Sequence, residues 1–314
     1  MPSLARHLRA ERPYLLALLL LVIALYVVVP QFGSFRASWH LLGHPLAGWT
    51  AAAIGLTGLT YFAGSLTYCL LADKPLPYRQ TVLVELAAMF VNRLLPAGVG
   101  ALGVNFTYLR RLKHSNAQAT AIVAINNTLG FVGHGLVLLL TLVLVSSRQA
   151  GQLHWRPMSL HWEASLLIGC LAVVVLFVAA RYFRRSVAEL LRQFASYRHR
   201  LGRLGGALLS SMLLTLCNVL CFACCALALG VHLPFLAALL IFSFGVGAGT
   251  AVPTPGGLGG FEAGLTAGLI ALQVSSSEAL AVALLYRFIS YWLPLLAGGP
   301  ALILVQKRHL LKLS

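Results

Sequence analysis

Apolar residues fill several long stretches of the chain, and polar residues gather between them. Six stretches are close to the length of about 20 residues that a helix needs to cross a bilayer. They are 14–30, 47–72, 116–146, 162–182, 205–229 and 278–305. Two further apolar segments, 81–112 and 234–272, are each interrupted by proline and glycine. The pattern predicts an all-α integral membrane protein with six full spans and two broken helical segments.

The two breaks share the pattern Pro-x-Gly-x-Gly and stand about half the chain apart. Proline removes a helix donor and glycine loosens the backbone, so each break ends a helix. Unpaired backbone in lipid survives only where protein or a wet cavity surrounds it, and broken helices in matching places point to a transporter's substrate site. The predicted tip residues are Pro96, Gly98 and Gly100, then Pro253, Pro255, Gly256, Gly257 and Gly259.

Composition agrees with a membrane protein. Of 314 residues, 59% are hydrophobic and 10% are charged, whereas soluble domains carry about 25% charged residues. A soluble globular fold is thereby excluded. The net charge of +16 follows from the positive-inside rule, so we expect no nucleic-acid partner. The first stretch lacks a small-x-small cleavage site before Gln31, and we interpret it as a retained anchor.

The positions of the basic residues predict the topology. Arg79 and the cluster Arg110–Lys113 flank the apolar segment 81–112. If both are cytoplasmic, this segment enters the membrane and returns as a re-entrant hairpin. Segment 234–272 is predicted to enter from the outside. We therefore predict one transmembrane domain, 1–314, built as an inverted repeat of halves 14–146 and 162–305. Its expected location is the bacterial inner (plasma) membrane, with both termini cytoplasmic.

The stretch 181–203 holds seven arginines, with aromatic and aliphatic residues between them. One interpretation is an amphipathic helix on the cytoplasmic lipid surface, and the other is an ordinary positively charged loop.

Two arginines lie within the apolar segments, namely Arg93 near the first break and Arg287 in the last span. Charges at such depth normally face a cavity or a partner, and a guanidinium forms paired hydrogen bonds with phosphate oxygens. Glu262 follows the second break. It could pair with Arg287 and release it to a phosphate, hold a cationic headgroup, titrate, or form a static ion pair.

Other polar residues leave open alternatives. Glu85 is either an interfacial group or a site residue. Buried asparagines either line a cavity or bond across helices, and those considered are Asn92, Asn105, Asn126, Asn127 and Asn218. Four cysteines lie on one helical face, at positions 217, 221, 224 and 225. Because no basic neighbours accompany them, we interpret them as packing residues rather than metal ligands.

The second break and the next span contain the sequence Val252-Pro-Thr-Pro-Gly-Gly-Leu-Gly-Gly-Phe-Glu262 and later Tyr286-Arg287. This resembles the transmembrane family named after lysylphosphatidylglycerol synthase, also called flippase-like, with its Pro-x-x-Pro-Gly-Gly-Leu-Gly-x-x-Glu motif and following Tyr-Arg pair. The first break, with Asn92 four residues before Pro96, resembles the family's Asn-x-x-x-Pro element. The family's Gly-Gly-Glu after that break is replaced by Gly100-Ala-Leu-Gly103-Val-Asn105.

The resemblance implies a flippase for a phospholipid with a polar headgroup, such as aminoacylated phosphatidylglycerol or another anionic lipid. The residues predicted to bind this substrate are Arg93, Arg287, Glu262, Asn92 and Tyr286. The chain ends at Ser314 without an aminoacyl-transferase domain, so we expect no lipid synthase activity. The alternatives are a polyprenyl-phosphate translocase of DedA-like type, or a secondary transporter of a small ion or solute.

No cluster of acids, histidines or nucleophiles suggests an enzyme. We therefore expect no catalysis, no cofactor and no metal. The expected partners are membrane lipids, with a second copy of the chain or a separate lipid-modifying synthase as further candidates.

Overall fold

The computed structural model describes residues 42–43, 45–95, 99–148, 200–252 and 254–311, which fold into helices joined by short turns, without a strand. The helices are α1 (Ala47–Leu71), α2 (Tyr78–Leu94), α3 (Val99–Arg111), α4 (Asn116–Arg148), α5 (Leu201–Ala228), α6 (Phe235–Ala251), α7 (Gly260–Ala271), α8 (Ser276–Arg287) and α9 (Leu293–Lys307). A short 3₁₀ turn, Pro255–Gly257, lies between α6 and α7, and a π-helical turn, Phe288–Trp292, joins α8 to α9.

Within these ranges, four helical stretches are long and apolar enough to cross a membrane. They are Ala47–Leu71, Asn116–Thr141, Leu201–Ala228 and Ser276–Lys307. They coincide with four of the six predicted spans, which confirms an all-α membrane protein. The predicted spans 14–30 and 162–182 and most of the predicted amphipathic segment 181–203 lie outside the described residues, as do the tip residues Pro96, Gly98 and Pro253.

Large apolar side chains face outward from these helices. Phe131 is 80% exposed and Leu296 is 72% exposed. Water would oppose such exposure, whereas lipid tails accept it, so the surface agrees with helices that cross a bilayer.

Contacts group the described residues into two compact units. Unit A holds the described parts of 42–58, 88–101 and 218–300. Unit B holds those of 59–87, 102–148, 200–217 and 301–311. The predicted inverted repeat of 14–146 and 162–305 stays a prediction.

In unit B, the start of α2 packs against the end of α3. The hydroxyls of Thr81 and Tyr108 lie 3.1 Å apart, and the side chain of Glu85 lies beside that of Asn105. These pairings run in opposite directions along the chain, so the two helices are antiparallel, as a hairpin requires.

Arg203, from the basic stretch 181–203, also lies in unit B. Its guanidinium donates to the carbonyls of Cys69 and Ala72 at the end of α1. Carbonyls at a helix C-terminus lack helical donors and carry partial negative charge. This arginine therefore caps a helix.

In unit A, α6 and α7 pack closely through glycines. A Cβ added at Gly264 would lie 2.9 Å from the Cβ of Ala248 and from the Cα of Gly245. A Cβ at Gly268 would lie 2.9 Å from the side chain of Ile241. The order of these contacts makes α6 and α7 antiparallel, and only glycine permits so close an approach.

We expect Gly264→Ala to lower the free energy of unfolding by about 1–3 kcal/mol, because its methyl group would force α6 and α7 apart. Unfolding in detergent, followed by circular dichroism, measures the change. The matched control is Gly247→Ala on the outer face of α6, where an added Cβ meets nothing within 4 Å. Equal losses in the two variants would contradict the close contact.

His114 is fully buried in the turn between α3 and α4 in unit B. Its Nδ1–H donates to the carbonyl of Leu109 (3.1 Å), and its Nε2 accepts from the amide of Lys74 (3.4 Å). Burial lowers the pKa of His114 below its ordinary 6.5, although the Leu109 carbonyl opposes this in part. The neutral ring is the form that fits both partners.

The folded protein binds a proton at His114 more weakly than the unfolded chain. Stability from this residue is therefore complete above pH 6.5 and is lost as the pH falls below that value. Thermal unfolding in detergent should show a drop in Tm between about pH 8 and about pH 5.5 that shrinks in His114→Gln. His232→Gln, at an exposed histidine, should keep the wild-type drop. An unchanged drop in His114→Gln would refute the assignment.

Candidate functional site

The turn between α6 and α7 is built from glycines with left-handed backbone. Gly256, Gly257 and Gly259 have φ values of +62°, +66° and +86°. Such values strain residues that carry a Cβ, so glycine is required on conformational grounds alone. At Gly256 space also requires it, because an added Cβ would lie 2.3 Å from the ring of Tyr291.

Glu262 lies in the first turn of α7, where the backbone amides have no helical acceptors. Its Oε2 accepts from the amide of Gly259 at 2.7 Å. A carboxylate at a helix N-terminus is also favoured by the helix dipole. This contact holds the carboxylate beside the glycine turn and leaves Oε1 for another partner.

That partner is Arg287, the last residue of α8. Its Nε donates to Oε1 of Glu262 at 2.6 Å, and its Nη2 donates to the carbonyl of Gly256 at 2.8 Å. The guanidinium carbon lies 4.7 Å from the ring centre of Phe261 and 5.0 Å from that of Tyr291. Arg287 is 7% exposed, so its charge is held by an acid, a carbonyl and two aromatic faces.

Arg93 approaches the same tyrosine from the end of α2. Its guanidinium carbon lies 5.3 Å from the ring centre of Tyr291, and the tyrosine hydroxyl donates to the carbonyl of Arg93 at 3.2 Å. Each guanidinium is thus about 5 Å from one ring, so the two charges are within about 10 Å of each other, and both are placed for cation–π attraction.

The π-helical turn Phe288–Trp292 supplies a further acceptor to Arg93. The Nη2 of Arg93 donates to the carbonyl of Ser290 at 2.7 Å. In a regular α-helix this carbonyl would accept from residue 294, which here is proline and has no N–H. Pro294 therefore leaves this backbone oxygen available to Arg93, and π-turns are frequent at functional sites.

Asn92 stabilises the other side of the first break. Its Oδ1 accepts from the amide of Ala101 at 3.3 Å, so it caps the first turn of α3. An added Cβ at Gly100 would lie 2.6 Å from the backbone of Asn92 and Val91. Within unit A, the end of α2 and the start of α3 are therefore in direct backbone contact.

Tyr286 is buried in an aromatic cluster. Its ring stacks on Phe261 at 5.8 Å and meets Phe222 and Phe242 edge-on at 5.9 and 6.0 Å. Its hydroxyl lies near the side chain of Ser290. Tyr286 thus supports Phe261, on which Arg287 lies, and its predicted contact with a substrate stays a prediction.

The structure brings together Arg93, Arg287 and Glu262 of the sequence-predicted residues, with Gly256 and Gly259 at the same place. Pro255 begins the short 3₁₀ turn. Sequence reasoning missed Tyr291, Phe261 and Ser290. One available signal was the spacing of Arg287 and Tyr291, which lie four residues apart and so share a helix face.

The group carries an excess of positive charge. Two guanidiniums accompany one carboxylate. The described part of unit A holds one other acid, Glu278, which accepts a hydrogen bond from Ser275 instead. Such a group suits an anion with several oxygens, because guanidinium forms paired, charge-assisted bonds with phosphate or carboxylate.

A family model described as "Lysylphosphatidylglycerol synthase TM region" matches residues 14–298. The chain belongs to this family. The resemblance inferred from the second break and the Tyr286–Arg287 pair is therefore confirmed. The chain is a multi-pass membrane protein, and its family connects it with membrane lipids.

The chain is similar in sequence to the "UPF0104 membrane protein PH1989" of Pyrococcus horikoshii. The two are 32% identical over 129 residues, which is 41% of this chain and 38% of the relative. The alignment thus spans less than half of that protein.

Gly256→Ala should lower Tm in detergent more than Gly259→Ala does. Both substitutions strain a left-handed backbone, but only the methyl group at 256 meets Tyr291, whereas nothing lies within 4 Å of a Cβ at 259. The difference between the two variants isolates the packing of the turn against Tyr291 from the backbone strain. Equal shifts would show that Tyr291 does not lie against the turn.

Proposed function

We propose that this protein moves a phospholipid with a polar, anionic or aminoacylated headgroup between the leaflets of the membrane. The observation that carries the proposal is that Arg93 and Arg287 lie 5.3 and 5.0 Å from the ring centre of Tyr291. One acid, Glu262, bonds both to the glycine turn and to Arg287. Membership of the lysylphosphatidylglycerol synthase transmembrane family supports a lipid as the substrate.

The hydrogen bonds of Arg287 suggest how a headgroup would be held. The Glu262 carboxylate bonds Nε of Arg287 and the Gly256 carbonyl bonds Nη2. A lipid phosphate offers the same kind of oxygen acceptors, so it can replace these contacts without leaving the charge bare. Glu262 keeps its bond to the Gly259 amide meanwhile, and it can then accept from the ammonium of an aminoacyl headgroup.

The membrane arrangement belongs to the same proposal. Six full spans and two re-entrant hairpins from opposite sides would place both glycine breaks near the bilayer midplane. The headgroup would pass between the breaks by alternating access while its acyl chains stay in lipid. No bond is made or broken in this scheme, so the protein acts as a translocase of the plasma membrane and not as an enzyme.

The decisive experiment is lipid exchange in proteoliposomes. Purified protein is reconstituted with trace headgroup-labelled phosphatidylglycerol, its lysyl form or phosphatidylcholine. The fraction of labelled headgroups that a reagent added outside the vesicles can reach is followed with time. The proposal expects faster exchange of at least one of the first two lipids than in protein-free vesicles. The absence of exchange for every lipid would contradict it and would favour a small ion or solute.

Arg287→Lys should slow this exchange about ten- to a hundredfold, because lysine keeps the charge but loses the fork that pairs with phosphate oxygens. Glu262→Gln should slow lysyl-phosphatidylglycerol more than phosphatidylglycerol, since only the former has an ammonium. Arg308→Ala, at an exposed arginine beyond α9, is the control and should match wild type. If both Arg287→Lys and Glu262→Gln exchange lipid as fast as wild type, Arg287 and Glu262 form only a static ion pair and do not bind the headgroup.

A further inference from the structure

A second polar group lies in unit B, apart from the residues assigned to the headgroup. Four helices contribute one side chain each, and all four are polar: Tyr68 from α1, Glu85 from α2, Asn105 from α3 and Asn126 from α4. Glu85 is 4% exposed and Asn105 is 2% exposed. Sequence reasoning left Glu85 as either an interfacial group or a site residue, and the structure buries it.

Side-chain contacts link these four residues. The side chain of Asn105 lies beside those of both Glu85 and Tyr68, and the side chain of Asn126 lies beside that of Tyr68. Oε2 of Glu85 faces Gly64 of α1, where an added Cβ would be 3.6 Å away. Oε1 of Glu85 is buried and accepts no hydrogen bond from any described residue. The carboxyl group therefore has one oxygen whose needs its neighbours do not meet.

No described cation compensates a charge on Glu85. The titratable group that faces it is Tyr68, and α5 presents the apolar Leu214 beside Gly64. Five basic side chains of unit B bond elsewhere: Lys74 to the carbonyl of Lys113, Arg110 to that of His114, Arg111 to that of His309, Arg200 to Asp73, and Arg203 to the end of α1.

A buried carboxylate without a countercharge is costly, whereas a protonated carboxyl group is neutral. Intramembrane acids that face protein interior commonly belong to proton pathways. An ion such as Na⁺ would require several oxygen ligands around it, and one carboxyl group with two amides offers too few. A proton needs only one carboxyl oxygen.

We propose that Glu85 is a reversible proton-binding site, with Asn105 as its positioning residue, and that its proton drives lipid movement. In this step Oε1 takes a proton from hydronium, leaving water, and forms the O–H bond of a neutral acid. When the group is reached by water from the other side, that bond breaks and hydronium re-forms there. One proton crosses per cycle. The coupling rests on the proposed lipid translocation, whereas the proton site does not.

The proton site is tested first, without lipid transport. Infrared spectroscopy of the purified protein in detergent detects the C=O stretch of a protonated carboxylic acid, which is distinct from that of a carboxylate. Wild type should show this band near neutral pH, and Glu85→Gln should lose it. Glu278→Gln, at the N-terminus of α8, is the matched control and should keep it. A band unchanged in Glu85→Gln would overturn the proposal.

Asn105→Leu guards against a variant that fails to fold. It leaves the acid in place but removes the polar amide beside it, so the same band should persist at a shifted frequency. An unshifted band would overturn the positioning role. Size-exclusion chromatography identifies variants that have lost their fold, and Glu85→Asp then takes the place of Glu85→Gln, with a displaced band as the expected result.

Coupling is tested with a pH gradient across proteoliposomes. One pH unit corresponds to a factor of ten for one proton, so a gradient of two units should drive the leaflet ratio of labelled lipid up to about a hundredfold. Glu85→Gln should retain exchange without a gradient and lose this accumulation. If wild type exchanges lipid but ignores the gradient, the coupling is overturned. If no variant exchanges lipid while the infrared band depends on Glu85, the proposed function fails and the proton site stands.

Discussion

The bond between Arg287 and Glu262 is the interaction on which the described part of unit A depends. It joins the end of α8 to the first turn of α7, and through Oε2 of Glu262 it reaches the glycine turn itself. A guanidinium buried in an apolar helix end is tolerable only because an acid, a carbonyl and two rings compensate it. In turn, the pair fixes the position of the turn. Charge compensation and backbone shape are therefore one constraint.

Arg287 and Arg93 are held in the same way, by a hydrogen bond to a backbone carbonyl. Each donates to a carbonyl that irregular backbone has released from helical bonding: Gly256 in the glycine turn for Arg287, and Ser290 before Pro294 for Arg93. A regular helix without proline would have used both oxygens in its own hydrogen bonds. The prolines and glycines thus do more than interrupt helices, since they determine where hydrogen-bond acceptors become available in an otherwise apolar protein.

Sequence patterns could predict the described helices and the pairing of Glu262 with Arg287, because apolar length and the rarity of buried charge leave few solutions. The four-residue spacing could place Tyr291 on the same helix face as Arg287, but sequence patterns could not predict that its ring also meets Arg93. Its ring meets both arginines as the backbone passes through a π-turn, and helical periodicity does not encode that turn. Nor could they predict the burial of Glu85, because helical rise measures distance along one helix and not the cover that α1, α3 and α4 provide.

The glycine contacts between α6 and α7 also bear on movement. Where backbone meets backbone at Gly245 and Gly264, no side chain can change rotamer to admit sliding. We therefore expect α6 and α7 to move as one rigid body, so that any rotation of this body takes place at its ends. The left-handed glycines of the turn between them are already at conformations that other residues avoid. Because the turn is packed against the same two helices, it would move with them, and a hinge would lie where the pair begins and ends, at Pro234 and Leu272.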